Sequence, residues 1–304
     1  MDYLKISTSV IEEPVRRSGI FYKLVCNRAM NFLFWNINKK DTFFDLICEI
    51  VKDYSIGVLM LAEFPEGKQK ELEMLLKAHD NTYRYHIPFK TTNKVEVYTN
   101  IPNEDFLNIS DERRFSVKRY HSKGLNKDFN IILCHLDSKV NYDEREQANE
   151  ARKVASEIMK VEEHYHNDLS IVCGDLNMNP FEEGLVGSAC FNAVMSKNIA
   201  RKGTRRVSGD DFKMFYNPMW GLYGDNGRGV APGTFYYNPS RHMQYFWNIY
   251  DQVLIRPNVI PYFVDRYLEI VTCSKSQSLL TDNHILKSIY SDHLPIKFSI
   301  KNRR

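Results

Sequence analysis

Polar side chains able to bind cations, move protons or hold phosphate recur in this chain where apolar runs stop. Asn36 follows "LFW", Glu63 follows "VLMLA", His135 and Asp137 follow "IILC", and Asp175 and Asn177 follow "IVCG". Asp251 and the pair Asp292 and His293 stand at the other side of such runs, each opening one. Open α/β sheets place their ligands at the carboxyl ends of strands, so acids and amides there point to a site. For any single residue the plain alternative is a turn or a cap; Asp175 and Asn177 before Pro180 could form no more than an Asx turn. Repetition of the habit favours chemistry. Carboxylates and amides gathered at one sheet edge supply the oxygen ligands that a hard cation such as magnesium takes.

The elements that must bring these residues together alternate from Asn31 onward. "NFLFWNI" reads as a strand, "DTFFDLICEIVKDY" as an amphipathic helix with Asp41 as candidate N-cap, and "IGVLMLAEF" as a second buried strand. Residues 68–79 form a helix with Leu72, Leu75 and Leu76 on one face. "KVEVYT", "RRFSVKRYH" and the strongly apolar "FNIILCHLDS" are strand-like. A long charged helix, "YDEREQANEARKVASEIMKVEEHY", leads into "SIVCG", a strand buried on both faces, where Gly174 allows a bend or a close approach of another backbone. Between Phe181 and Ile249 the pattern weakens into a loop-rich region. Order returns in "IYDQVLIRP", "YLEIVTC" and "SDHLPIKFSI". An early α/β alternation followed by a β-rich half predicts two packed sheets with helices outside. Residues 1–28 lack a clear period and read as an extension, with a candidate strand around Phe21–Val25. No repeat, low-complexity tract or linker divides the remainder, so 29–304 reads as one domain.

The ordered set "FWNIN", "LAEF", "CHLDS", "CGDLNMNP", "YDQVLI" and "SDHLPI" resembles the endonuclease/exonuclease/phosphatase superfamily over about residues 31–300. The resemblance implies an α/β fold, a four-layer sandwich of two packed mixed β-sheets flanked by helices. It also implies a metal-dependent phosphoesterase using magnesium, with manganese as an alternative. Carried onto this sequence, it makes Glu63 the main metal ligand, with Asn36 beside it and Asp292 near the ion. Asp175 would orient and deprotonate the attacking water, and Asn177 would hold that water or a phosphate oxygen. His293 would bind the scissile phosphate, oriented by Asp251, and His135 would contact the phosphate or help the leaving oxygen depart. The apurinic endonucleases of the superfamily carry a tyrosine at that position, so the chain leans away from them.

Chemistry asks for the same parts. Hydrolysing a phosphoester brings a weak nucleophile to an anion, which requires a cation, a base and hydrogen-bond donors. Asp137 reads equally as a turn residue or a support, Trp35 as core, and Asn179 with Pro180 as the turn that leaves the site.

Two basic clusters, "RRFSVKRYHSK" (113–123) and "KNIARKGTRR" (197–206), favour a polyanionic substrate. The loop "GTFYYNPSRHMQYFWNIYDQ" resembles the superfamily's segment that grips the group flanking the scissile phosphate. Candidate substrate contacts are therefore Tyr236, Arg241, Arg201, Arg205 and Arg206. The leading reading is a nuclease for DNA or RNA. The alternatives are a phosphatase or phosphodiesterase for a small or lipid-linked phosphate, and a binding protein with a dead site.

Composition bounds the rest. With 304 residues, 43% of them hydrophobic, the chain can build a large core. Its net charge of +3 makes no case by itself for nucleic-acid binding. Six cysteines without a CxxC pair read as reduced, buried thiols. No apolar run is long enough to span a membrane and no signal-peptide core opens the chain, so a soluble, cytoplasmic protein is expected.

Overall fold

The computed structural model describes residues 29–90, 94–225, 231–240 and 242–303. The candidate strand around Phe21–Val25 and the candidate contact Arg241 lie outside them.

Along the chain, β1 (Ala29–Asn36) leads through α1 (Phe44–Asp53) to β2 (Val58–Ala62), and α2 (Gln69–His79) then precedes β3 (Arg84–Tyr85) and β4 (Val95–Thr99). Next come β5 (Phe106–Asp111), β6 (Phe115–Ser122) and β7 (Lys127–His135), followed by α3 (Glu144–His164) and β8 (Ser170–Asp175). Short pieces follow: α4 (Glu183–Val186), β9 (Ala193–Val194), α5 (Lys197–Ala200), the hairpin β10 (Thr204–Val207) and β11 (Asp210–Lys213), and β12 (Phe215–Tyr216). The ribbon β13 (Phe235–Tyr236) and β14 (Trp247–Asn248) precedes β15 (Asp251–Ile255), β16 (Glu269–Ile270) and β17 (Ile296–Lys301).

Two mixed sheets result, one in the order β16-β17-β1-β2-β4-β3 and one in the order β5-β6-β7-β8-β15-β12-β9. The pleat explains why β7 and β8 read as unbroken apolar runs. Ile131 and Leu133, with Ile171 and Cys173, join Phe32, Phe34, Met60 and Phe298 of the other sheet in one core. The alternate residues Ile132, Cys134 and Val172 join Ala151, Val154 and Ile158 of α3 in a second. With α1 and α2 covering the first sheet through Leu46, Ile47, Leu72 and Leu76, the layers are helix, sheet, sheet, helix. Each fully buried aliphatic side chain contributes roughly 1.5–3 kcal/mol.

Register places the strand ends together. In the parallel pair β1 and β2, Asn36 lies opposite Ala62, one residue before Glu63. Across the second sheet Asp175 is flanked by His135 in parallel β7 and by Asp251 in antiparallel β15.

Some sequence expectations need correction. Phe43, not Asp41, sits at the N-terminus of α1 without a side-chain cap, and Asp41 pairs instead with Lys68 at 2.9 Å. A side-chain cap is found on α3, where Asp143 and Glu146 form a reciprocal capping box. "YLEIVTC" contributes only the two-residue β16, and Asp292 lies in a bend before His293, which bridges Phe235, four residues ahead of the start of β17 at Ile296. Cys273 is exposed, while Cys48, Cys134, Cys173 and Cys190 are buried free thiols. Among the described residues no helix is long and apolar enough to cross a membrane.

Candidate active site

Asp175 stands at the centre, 1% exposed, with its two carboxylate oxygens assigned to different tasks. Oδ1 accepts the backbone N–H of Asn177 at 2.9 Å, so the Asx turn is real. It holds Asn177 in a left-handed conformation, φ +53°, that asparagine tolerates better than most residues. Oδ2 faces the site. It accepts from Asn36 Nδ2 at 3.1 Å and lies 3.8 Å from His293 Nε2 and 3.9 Å from His135 Nε2.

Asn36 Nδ2 also reaches Glu63 Oε1 at 3.3 Å, so one buried amide gathers two carboxylates from different sheets. Glu63 is half-buried, adopts φ +47°, and has its carbonyl tied to Lys39 N at 2.7 Å. A non-glycine residue in that conformation is strained by about 1 kcal/mol or more and is held there by its surroundings. Among the described residues no lysine or arginine pairs with Glu63 or Asp175; their charged neighbours are His135, 3.7 Å from Glu63 Oε1, and His293. Two carboxylates brought together with no lysine or arginine between them suit a hard divalent cation, while the Asn36 amide turns its nitrogen to them and its oxygen to Asn38 N at 3.1 Å.

His293 Nδ1 bonds Asp251 Oδ2 at 2.8 Å, and both side chains are buried. Burial alone would push His293 down, but the carboxylates of Asp251 and Asp175 outweigh it and raise its pKa to about 10. Burial likewise raises Asp251 to about 6 against the opposing pull of His293. The 2.8 Å bond and the two carboxylates around the ring favour imidazolium and carboxylate in this pair. Asp175, Asp251 and His293 could also close around an ion. The bond between His293 and Asp251 already uses the ring nitrogen on that side, so Glu63 with Asn36 beside it makes the better cation site. Burial pushes His135 down although Asp175 and Glu63 act in the opposite sense, and its Nδ1 is buried without a hydrogen bond among the described residues.

Several supports were not legible in sequence. Ser291 Oγ donates to Asn36 O at 2.6 Å and accepts from His293 N at 3.1 Å, while Trp35 Nε1 donates to His293 O at 2.9 Å. Trp35 is core, as expected, and also a strut. Thr234 Oγ1 accepts from the backbone N–H groups of Tyr250 and Asp251. Asp137 pairs with Arg114, whose carbonyl accepts His135 N. Asn179, read as a turn residue, is buried and ties its loop to Asn248 and to Ile249 N.

Gln147 on α3 donates to Asp137 O at 2.8 Å and Asn177 O at 3.0 Å, fastening both loops that carry the site. Gln147→Ala leaves two carbonyls without that donor and is expected to cost about 2 kcal/mol of unfolding free energy. Urea titration checks this, and an unshifted midpoint would refute the strut.

Not every expected residue is at this edge. Asp292 is exposed beside Ser291, close enough to support the charge on His293. Asn177 donates its amide to Leu136 O at 3.0 Å rather than pointing it wholly into the site. Tyr236 leans on Trp247 at 5.2 Å, while its neighbour Phe235 packs its ring 4.7 Å from His293. Arg201 bonds Asn198, and Arg205 bonds Val186 O from the hairpin that Arg206 shares. That hairpin feeds β12, whose Tyr216 pairs with Ile255, the end of β15 away from Asp251 and about 14 Å from it by strand rise. The other basic cluster is dispersed: Lys118 is buried against Asp111, Arg119 lies over Tyr165, and Lys123 pairs with Asp105.

A family model described as Endonuclease/Exonuclease/phosphatase family matches residues 33–293. Among solved structures the chain is similar to the human Nocturnin catalytic domain with bound sulfate (TM-score 0.53, 15% identity, covering 90% of this chain and 94% of that one). It is similar also to D. rerio TDP2 complexed with single strand DNA product (TM-score 0.53, 14% identity, 90% and 98%). A third is the mannosyl-6-phosphatase Bt3783 of Bacteroides thetaiotaomicron (TM-score 0.56, 13% identity, 89% and 99%). At these identities the likeness is one of fold. No curated protein matches the chain.

Proposed function

From the premise that this chain belongs to the endonuclease/exonuclease/phosphatase family, we propose that it is a divalent-metal-dependent phosphoesterase and, within that class, a nuclease acting on DNA or RNA. The observation that carries the reading is the meeting of Asn36, Glu63, His135, Asp175 and the Asp251 and His293 pair at one sheet edge.

Glu63, with Asn36 beside it, would hold magnesium, or manganese in its place, which when bound neutralises phosphate charge and lowers the cost of the developing negative charge. Asp175 Oδ2 takes the proton of the attacking water while Oδ1 stays locked to Asn177 N, so the base is oriented before the substrate arrives. His293, charged and fixed by Asp251, offers its Nε2 proton to a phosphate oxygen. His135 stands on the other side of Asp175; burial disfavours its charged form, so its role is to contact a phosphate oxygen as a hydrogen-bond donor through Nε2.

The nuclease reading draws support from a fold neighbour described with a single-strand DNA product. A panel of single- and double-stranded DNA, RNA, a sugar phosphate, an inositol phosphate and a lipid phosphodiester tests it. Hydrolysis of a polynucleotide is expected with magnesium and should fall to background with excess EDTA. Turnover of only the small or lipid-linked phosphates would replace the nuclease reading with the phosphatase one, and metal-independent turnover would remove the cation from the account.

A further inference from the structure

Arg201, Lys202, Arg205 and Arg206 are exposed, and among the described residues they form no ion pair. The hairpin that carries Arg205 and Arg206 hangs from the end of β15 away from Asp251, so its charges do not serve the scissile phosphate. It is firmly held. Met214 N donates to Gly203 O at 2.8 Å, Asn192 Nδ2 donates to Phe212 O and Lys213 O at 3.2 Å, and Lys213 reaches the buried Glu162 at 3.3 Å. Beside the hairpin's base lies a cavity of about 250 Å³, on the flank where Tyr216 of β12 and Leu268, just ahead of β16, line it together. Met195, Trp220 and Leu222 extend its apolar wall, and Lys197 pairs with Asp265 in its lining. Backbone contacts join cavity and charges. Arg201 N donates to Lys197 O at 2.9 Å, which sets Arg201 one helical turn from the cavity, and Met214 is two residues from Tyr216. Met195 is 58% and Ile199 48% exposed, so the apolar surface continues outside the cavity.

We propose that this flank docks an acidic, extended segment of a partner protein, which seats one bulky apolar side chain in the cavity and sets its carboxylates against Arg201, Lys202, Arg205 and Arg206. The cavity is smaller than the roughly 300–1,000 Å³ that a drug-sized ligand fills, and it suits a single side chain. The cations beside it fix the sign of whatever flanks that anchor. A nucleic-acid backbone matches this surface less well. Asp210 and Asp211 stand opposite Val207 and Arg206 in the hairpin, where they would meet its phosphates. A peptide places acidic and neutral side chains residue by residue. The proposal is independent of which phosphoester is cleaved at Asp175.

The test pans a random peptide library displayed on phage against the full-length protein and measures the enriched sequences as free fluorescent peptides. Enriched peptides should carry acids around one bulky apolar residue. Gly221 lines the cavity, and a Cβ built there meets no atom within 4 Å, so Gly221→Phe sends a ring into open space. It should weaken the peptides about tenfold or more, the worth of burying one such side chain. Lys202→Glu with Arg206→Glu spares Arg201 and Arg205, which bond within the fold. That pair should weaken the peptides and flatten their salt dependence. Parental unfolding midpoints in both variants exclude a collapsed fold. The proposal is overturned if no acidic peptide is enriched or if both variants bind the peptides as the parent does. It is overturned equally if oligothymidylate binds more tightly than the peptides and loses affinity in the same two variants, which makes the occupant a nucleic acid, or if the unmodified protein forms a dimer that Gly221→Phe dissolves, which makes it a second copy.

Discussion

Asp175→Asn is expected to reduce metal-dependent hydrolysis by about a thousandfold or more while the protein still folds. General-base catalysis by a positioned side chain accounts for roughly a hundred- to ten-thousandfold, and this substitution also removes a carboxylate facing His293 and His135. The fold should survive because the asparagine oxygen can still accept Asn177 N as Oδ1 does now. Its amide nitrogen would then confront Asn36 Nδ2, donor against donor, where Oδ2 now accepts at 3.1 Å. That mismatch should cost about 1–3 kcal/mol. Turnover of whichever phosphoester the substrate panel identifies, measured beside a thermal unfolding curve, separates the two effects. Parental turnover in a folded Asp175→Asn protein would sink the assignment of the base.

Much of this arrangement was legible because the strands that carry it are periodic and long. β1, β2, β7 and β8 were read from apolar runs, and the polar residue ending each run fell in the row that register later made a site. The parts that escaped share one physical cause: their roles arise from contacts distant in sequence. Ser291, Thr234 and Gln147 act through backbone groups of β1, β15 and two separate loops, so nothing local distinguishes them from surface hydroxyls and amides. The position of Arg205 and Arg206 could not be read either. Sequence proximity to Asp175 does not say from which end of a sheet a hairpin will hang, and this one hangs from the far end. Nor does alternation distinguish a cap from a salt-bridge partner, which is why Asp41 was misplaced. Turn and site do not exclude each other at Asp175, since Oδ1 makes the Asx turn while Oδ2 faces the candidate site.

Gly174→Ala should be among the most destabilising single substitutions in the chain, with a loss of roughly 3–5 kcal/mol, the size diagnostic of backbone conflict in a packed interior. Gly174 adopts φ +153°, which side chains rarely permit, and a Cβ there would lie 1.9 Å from the carbonyl oxygen of Cys134 and 2.8 Å from its nitrogen. Neither atom can rotate away, because both belong to the backbone of β7, paired with Gly174 in the parallel ladder. One of the two strands must shift. His135 follows Cys134 and Asp175 follows Gly174, so any shift that admits the methyl also moves apart two groups now 3.9 Å from one another. Activity should therefore fall further than the unfolded fraction explains. Gly221→Ala provides the contrast, since no atom lies within 4 Å of a Cβ built there, and its denaturation midpoint should stay close to the parent's. If Gly174→Ala unfolds at the parental midpoint with full activity, the close approach of β7 and β8 is not what fixes the distance between His135 and Asp175.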